Sequence, residues 1–144
     1  MNLDDVKARA TELSPWAHLA TVGVDGAPDV VPVHPGWEGD TMWVMIGRKS
    51  VKARNIANES RVALHWQVTE SGDGLEVWGK ATIVDDIEVK RRLWSGVFDY
   101  DLSAFAPGGP DGSPDTVFIS VEPTRASHVK KYGMAGIDYW TANT

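Results

Sequence analysis

The chain contains no cysteine. That absence excludes disulfides, thiolate nucleophiles, cysteinyl zinc sites and iron–sulfur clusters. Long hydrophobic runs are missing as well, so no segment reaches membrane-spanning length. Positive charge is scarce. Fourteen Lys and Arg against twenty Asp and Glu leave a net charge of −6 and a pI near 5.1. Nucleic acids and anionic membranes are bound through a cationic face, so neither is expected as a partner. The acidic start, Met1-Asn2-Leu3-Asp4-Asp5, lacks the layout of a signal peptide, and a cytoplasmic protein is expected. Catalytic signatures are equally sparse. There is no G-x-G-x-x-G, no P-loop and no G-x-S-x-G elbow. His18, His34, His65 and His128 have no second histidine at i+3 or i+4, so each is read as structural or surface, and no metal site is expected.

What the chain does have is apolar content and tryptophan. Its 144 residues are 42% hydrophobic and include seven tryptophans, which suits one domain (1–144) with a substantial core. Leu3, Val6, Ala10 and Leu13 recur at helical spacing until Ser14-Pro15. Ala17 to Val24 and Ala27 to Val33 flank Asp25-Gly26, a hairpin signal. Pro28 and Pro32 make the second of these an edge or bulged strand. Trp37-Glu38-Gly39-Asp40 reads as a turn before the strand Thr41 to Ile46. A short helix, Ser50 to Asn58, precedes the strands Arg61 to Val68 and Leu75 to Val84. In the latter, Leu75, Val77, Ala81 and Ile83 share one face. Asp85 or Asp86 can cap a helix to about Phe98, with Ile87, Trp94, Val97 and Phe98 inward. After a Gly- and Pro-rich loop, Thr116 to Val121 and Thr124 to Lys130 read as two strands parted by Glu122-Pro123. The sum is a mainly β domain, a Greek-key antiparallel barrel with peripheral helices.

The segment Ile46-Gly47-Arg48-Lys49-Ser50-Val51-Lys52-Ala53-Arg54 stands out against this acidic background. It gathers four cations and a hydroxyl where a strand gives way to a helix. Unpaired N–H groups and the positive end of the dipole make such a helix start an anion site. Ser50 can cap the helix or hydrogen-bond an oxygen. A phosphate-bearing cofactor would fit there. Trp43, Trp66, Trp78 and Trp94 fall at core positions. Trp37, Phe105, Tyr132 and Trp140 lie in segments that could shape a pocket.

Several stretches carry a family likeness. Leu19-Ala20-Thr21-Val22-Gly23-Val24-Asp25-Gly26-Ala27-Pro28 resembles the opening hairpin of the pyridoxamine 5′-phosphate oxidase-like split-barrel flavoproteins. Ser50 to Ile56, followed by Asn58 to Trp66, is similar to their phosphate-side helix and next strand. Val77-Trp78-Gly79-Lys80-Ala81 with Asp85-Asp86 is similar to their "G-x-A…D-D" strand ending. Phe105 to Pro110 and Val121 to Ala126 resemble the general-stress-protein branch. The likeness implies a six-stranded split barrel, a homodimer, and a flavin mononucleotide (FMN) in a groove at the subunit interface. It makes Lys52 the phosphate-contacting lysine and Ser50 its neighbouring hydroxyl. Met45 and Ile46 would pass the flavin ring, and Val31, Pro32 and Val33 would flank it. Arg48, Lys49 and Arg54 are nearby charges, and Gly74 and Leu75 are further cofactor contacts. In the oxidases proper, arginines occupy the places held here by Val51 and Val31, so pyridoxamine phosphate oxidation itself is not expected. The likeness implies a flavin-dependent oxidoreductase acting on a small-molecule substrate. Two alternatives stand beside it: an 8-hydroxy-5-deazaflavin-dependent reductase, and a flavin- or haem-binding stress protein without turnover.

Overall fold

Asn2 begins the first helix by a reciprocal cap. Its side chain accepts from the Asp5 N–H at 2.9 Å, and the Asp5 carboxylate accepts from the Asn2 N–H at 2.8 Å. The computed structural model describes residues 1–143. Its helices are α1 (Leu3–Leu13), α2 (Val51–Asn58) and α3 (Ile87–Leu93). Its strands are β1 (Ala17–Val22), β2 (Pro28–Val33), β3 (Gly36–Glu38), β4 (Thr41–Gly47), β5 (Arg61–Trp66), β6 (Gly74–Val84), β7 (Thr116–Val129) and β8 (Ile137–Thr141). They form one antiparallel sheet in the order β2-β1-β5-β6-β7-β4-β3, with β8 added to β7. Among the described residues no helix is long and apolar enough to cross a membrane.

The sheet curls around one cluster of buried side chains. Leu19, Leu64, Trp66, Val77, Val44 and Ile119 lie inside the curl, and Val6 and Ala10 of α1 and Ala53 and Ile56 of α2 join them. Each of the larger aliphatic side chains contributes roughly 1.5–3 kcal/mol on burial, and the alanines less. A second cluster, Trp43, Leu93, Leu102 and Phe118, forms under α3 on the sheet's other face. Asn55 is buried on α2 and donates to Thr21 Oγ1 at 3.0 Å, which ties the helix to β1.

The six strands expected for the barrel are β1, β2, β4, β5, β6 and β7. The sequence reading misses β3 and β8. Gly36–Glu38, read partly as a turn, pairs with β4, and Ile137–Thr141 pairs with the second half of β7. The pair of strands expected at Thr116–Val121 and Thr124–Lys130 is one strand, β7. Pro123 cannot donate to the ladder, but it faces Gly79 where the register slips, with Trp78 opposite Arg125. That bulge absorbs the missing N–H. Thr124 Oγ1 donates to the Trp78 carbonyl at 3.2 Å across it. The first hairpin closes through a five-residue loop, Gly23 to Ala27, not a two-residue turn. Ile87 is exposed, and Leu93 and the stem of Lys90 are the residues α3 buries. β2 is an edge strand, as its prolines require.

Candidate functional site

The turn from β4 into α2 is built by its own side chains. Ser50 Oγ accepts from the Ala53 N–H at 3.2 Å and donates to the Gly47 carbonyl at 2.8 Å. The cap therefore uses the Ser50 oxygen and the Gly47 carbonyl takes its hydroxyl hydrogen, so Ser50 serves the turn and helix before any ligand. Arg48 is also committed. Its guanidinium forms a two-armed pair with Asp85 and donates from Nε and Nη2 to the Pro114 carbonyl at 3.0 and 2.8 Å. Its backbone N–H donates to the Asp115 carbonyl at 2.7 Å. The hydrogen bonds from Arg48 hold the Asp85 carboxyl below its ordinary range, and Asp85 in turn raises Arg48. Arg48 is thus a clamp on the loop before β7 and not a free cation. Lys49 and Arg54 stand exposed beside it.

Lys52 is placed differently. It is half-buried and forms no ion pair among the described residues. It lines a groove of about 580 Å³ together with Pro32 and Val33 of β2, Met45 and Ile46 of β4, and an aromatic wall. Volumes of this size suit a small-molecule or cofactor site. In the wall, His34 stacks on Tyr100 with centroids 4.2 Å apart and planes 27° apart. Trp16 meets His34 edge-on at 5.9 Å, and Phe105 meets Tyr100 edge-on at 5.6 Å. Trp16 is 59% exposed and Phe105 74% exposed, so two large apolar rings stand open at the groove. The Tyr100 phenol is pushed above its ordinary range, by burial first and then by the charge of Asp99. His34 Nε2 is buried and lies 2.5 Å from Asp99 Oδ1, yet without the alignment of a hydrogen bond.

Five of the expected site residues, Pro32, Val33, Met45, Ile46 and Lys52, therefore come together. Val31 packs toward the core instead. Gly74 and Leu75 are not brought to this groove within one chain. Leu75 is fully buried, and Gly74 lines a separate cavity of about 150 Å³ with His65, Glu76 and Tyr132. Val84, at the other end of β6, is the residue whose partner Phe118 also pairs with Met45. At ~3.3 Å per residue, Gly74 is roughly 30 Å farther along the strand. Of the residues expected to shape a pocket, Phe105 lines the groove, Trp37 lines a neighbouring cavity, Tyr132 covers Gly72, and Trp140 packs on the core. The sequence reading missed Trp16, His34, Tyr100 and Thr116. A signal for His34 existed: it directly follows the Pro32-Val33 pair expected beside the ring.

Comparison with known proteins supplies the context. The family model described as pyridoxamine 5′-phosphate oxidase matches residues 4–130. A search of curated proteins finds no match. A Clostridium acetobutylicum protein related to general stress protein 26 of B. subtilis superposes with a TM-score of 0.79 at 15% identity, covering 98% of this chain and 96% of its own. A pyridoxamine 5′-phosphate oxidase-related, FMN-binding protein from Nostoc punctiforme gives 0.68 at 17% identity, covering 99% and 95%. An F420 reductase gives 0.61 at 30% identity, covering 80% and 91%. The curled antiparallel sheet with its three helices is the split-barrel fold of these structures.

Proposed function

We propose that this chain, which belongs to the pyridoxamine 5′-phosphate oxidase family, is an oxidoreductase that holds a phosphorylated flavin in the groove between β2, β4 and the Tyr100–Phe105 segment. The observation that carries this reading is the groove's lining. Lys52, which forms no ion pair among the described residues, stands at the start of α2. Apolar strand residues form one side, and open aromatic rings form the other. A planar ring with a phosphate tail matches that order of chemistries. Lys52 and the N–H groups at the start of α2 would hold the phosphate. Pro32, Val33, Met45 and Ile46 would bury one ring face, and the aromatic wall would exclude water. When bound, the flavin supplies hydride transfer, while the protein binds, orients and shields it. The substrate is a small molecule entering beside Trp16 and Phe105.

The deazaflavin reading has its own support. The F420 reductase shares 30% identity over 80% of this chain, which reaches beyond likeness of fold. Lys49 and Arg54 also extend the cationic surface past Lys52, which suits a longer anionic tail. A second copy of the chain belongs to the proposal in either case. Gly74 would meet a cofactor only from a second copy, through the cavity it lines, whereas Leu75 is fully buried in its own chain; the proposed functional unit is therefore a homodimer.

Fluorescence-quenching titration of the purified protein with FMN, with the deazaflavin and with haemin tests the assignment. Micromolar or tighter binding of FMN with a flavin spectrum supports the first reading. Binding of the deazaflavin alone supports the second. A Soret band with no flavin binding, or binding of none of the three, overturns the proposal.

A further inference from the structure

A cavity of about 520 Å³ adjoins the groove without sharing a lining residue with it. Val33 and His34 line the groove, whereas Pro35 and Gly36 line the neighbouring cavity. Tyr100 lines the groove, whereas Asp99 lines the neighbour. The chain thus crosses from one space to the other three times, at Pro15-Trp16, at His34-Pro35 and at Asp99-Tyr100. Where the last two of these crossings meet, His34 Nε2 and Asp99 Oδ1 are 2.5 Å apart; they are not aligned as a hydrogen bond in the structure, but they are near enough to pass a proton once the imidazole turns into line. The His34 side chain is only 21% exposed, whereas that of Asp99 is 70% exposed. One partner is enclosed with the groove, and the other is open to water.

We propose that His34 and Asp99 form a proton relay from the neighbouring cavity into the groove, with His34 giving or taking the proton that accompanies hydride transfer there. This rests on the oxidoreductase reading of the groove. Imidazole is the side chain that exchanges protons near neutrality. The charged and titratable groups facing it are Asp99 and Tyr100 from the segment after α3, and Lys52 from α2 across the groove; Trp16, from the α1–β1 connection, carries no charge. Tyr100 stays protonated through the neutral range, and Lys52 is the phosphate-side cation. His34 is left as the groove's proton carrier. In the reducing direction, hydride adds to the carbon of a polarised C=X bond, and the π-electron pair of that bond moves to X. X then takes a proton from the His34 imidazolium and forms an X–H bond. Neutral imidazole regains its proton from water by way of Asp99. The net change is substrate, anionic reduced flavin and one proton giving saturated product and oxidised flavin.

The test uses the full chain loaded with reduced FMN or reduced deazaflavin and mixed with cyclohex-2-enone, whose activated double bond takes hydride at one carbon and a proton at the other. His34→Gln is expected to slow reoxidation at least tenfold and flatten its dependence between about pH 5 and 8, while cofactor affinity changes less than about threefold. Asp99→Asn is expected to give a smaller loss over the same pH range. Added imidazole is expected to restore part of the rate to His34→Ala. In the cofactor-free protein, Asp99→Asn is expected to slow exchange of the His34 imidazole N–H with water, measured by NMR. An unchanged rate and pH profile in His34→Gln with cofactor bound overturns the proposal. So does loss of cofactor binding in that variant, which would make His34 a binding residue. Unchanged N–H exchange in Asp99→Asn removes the relay. Failure of the wild type to bind either cofactor ends the oxidoreductase reading, and the NMR measurement still judges the relay on its own.

Discussion

Lys52 and Arg48 lie four residues apart in one basic turn and do different work. Arg48 is matched by Asp85 and by the Pro114 carbonyl, so its charge is committed within the fold. Lys52 faces the groove with no acidic partner among the described residues. A charge-assisted hydrogen bond from lysine to phosphate contributes roughly 1.5–3 kcal/mol. Lys52→Ala is therefore expected to weaken flavin binding by about tenfold or more in a quenching titration. Equal affinity in the variant would remove Lys52 from the site. For Arg48 and Asp85 the expected effect is on stability and is set by pH. An unfolded aspartate titrates near ~3.9, and Asp85 in the fold titrates lower. The pair's contribution is then fully present above ~3.9 and is lost as pH falls through the depressed folded value. Thermal melts should show Asp85→Asn less stable than the wild type near neutrality, with the gap closing as the medium is acidified. Because both groups are nearly half exposed, added salt should narrow the gap too.

At the scale of elements, the β6–β7 pair is the spine of the sheet, and its bulge depends on Gly79. A Cβ built on Gly79 would lie 2.6 Å from the Glu122 carbonyl oxygen and 2.8 Å from Val121 Cγ1. Backbone on the neighbouring strand cannot move aside as a side chain can. Gly79→Ala is expected to cost roughly 1–3 kcal/mol in chemical denaturation, as overpacking does. This bulge also marks a limit of what the sequence reveals. The helices were legible because their signals are local: the apolar spacing of Leu3, Val6, Ala10 and Leu13 in α1, and caps that act within three residues, Ser50 with Ala53 and Asp86 with Val89. The alternation in β6 was legible for the same reason. Pro123 looked like a strand break because its missing donor is visible in sequence, whereas the slip in register that accommodates it depends on Gly79, 44 residues earlier. Likewise, the β4–α2 turn announced itself by its run of cations. The aromatic wall did not, because Trp16, His34, Tyr100 and Phe105 meet only after the sheet has curled. Arg48 could not be distinguished from Lys52 until Asp85 and Pro114 were placed.

On the scale of the whole molecule, the proposed cofactor site draws on two separated places of one chain. The groove beside Lys52 is open on one side, and the exposed rings of Trp16 and Phe105 rim it. At the far end of β6, near Gly74, the segment after β7 exposes Tyr132 and Met134, and Tyr139 stands exposed on β8. Apolar side chains left open at two distant places suit a two-fold pairing in which each copy covers the other's groove, since a two-fold interface uses the same patches twice. The expected mass in solution is twice the 15.7 kDa of the chain, measured by light scattering at micromolar concentration. Two linked results should follow. Flavin affinity should fall when the protein is diluted through the dimer dissociation range, and saturating flavin should shift that range to lower concentration, because a ligand bound only by the dimer stabilises it. A monomer that binds flavin with the same affinity at every dilution would show that the groove of a single chain suffices, and would remove Gly74 from the site.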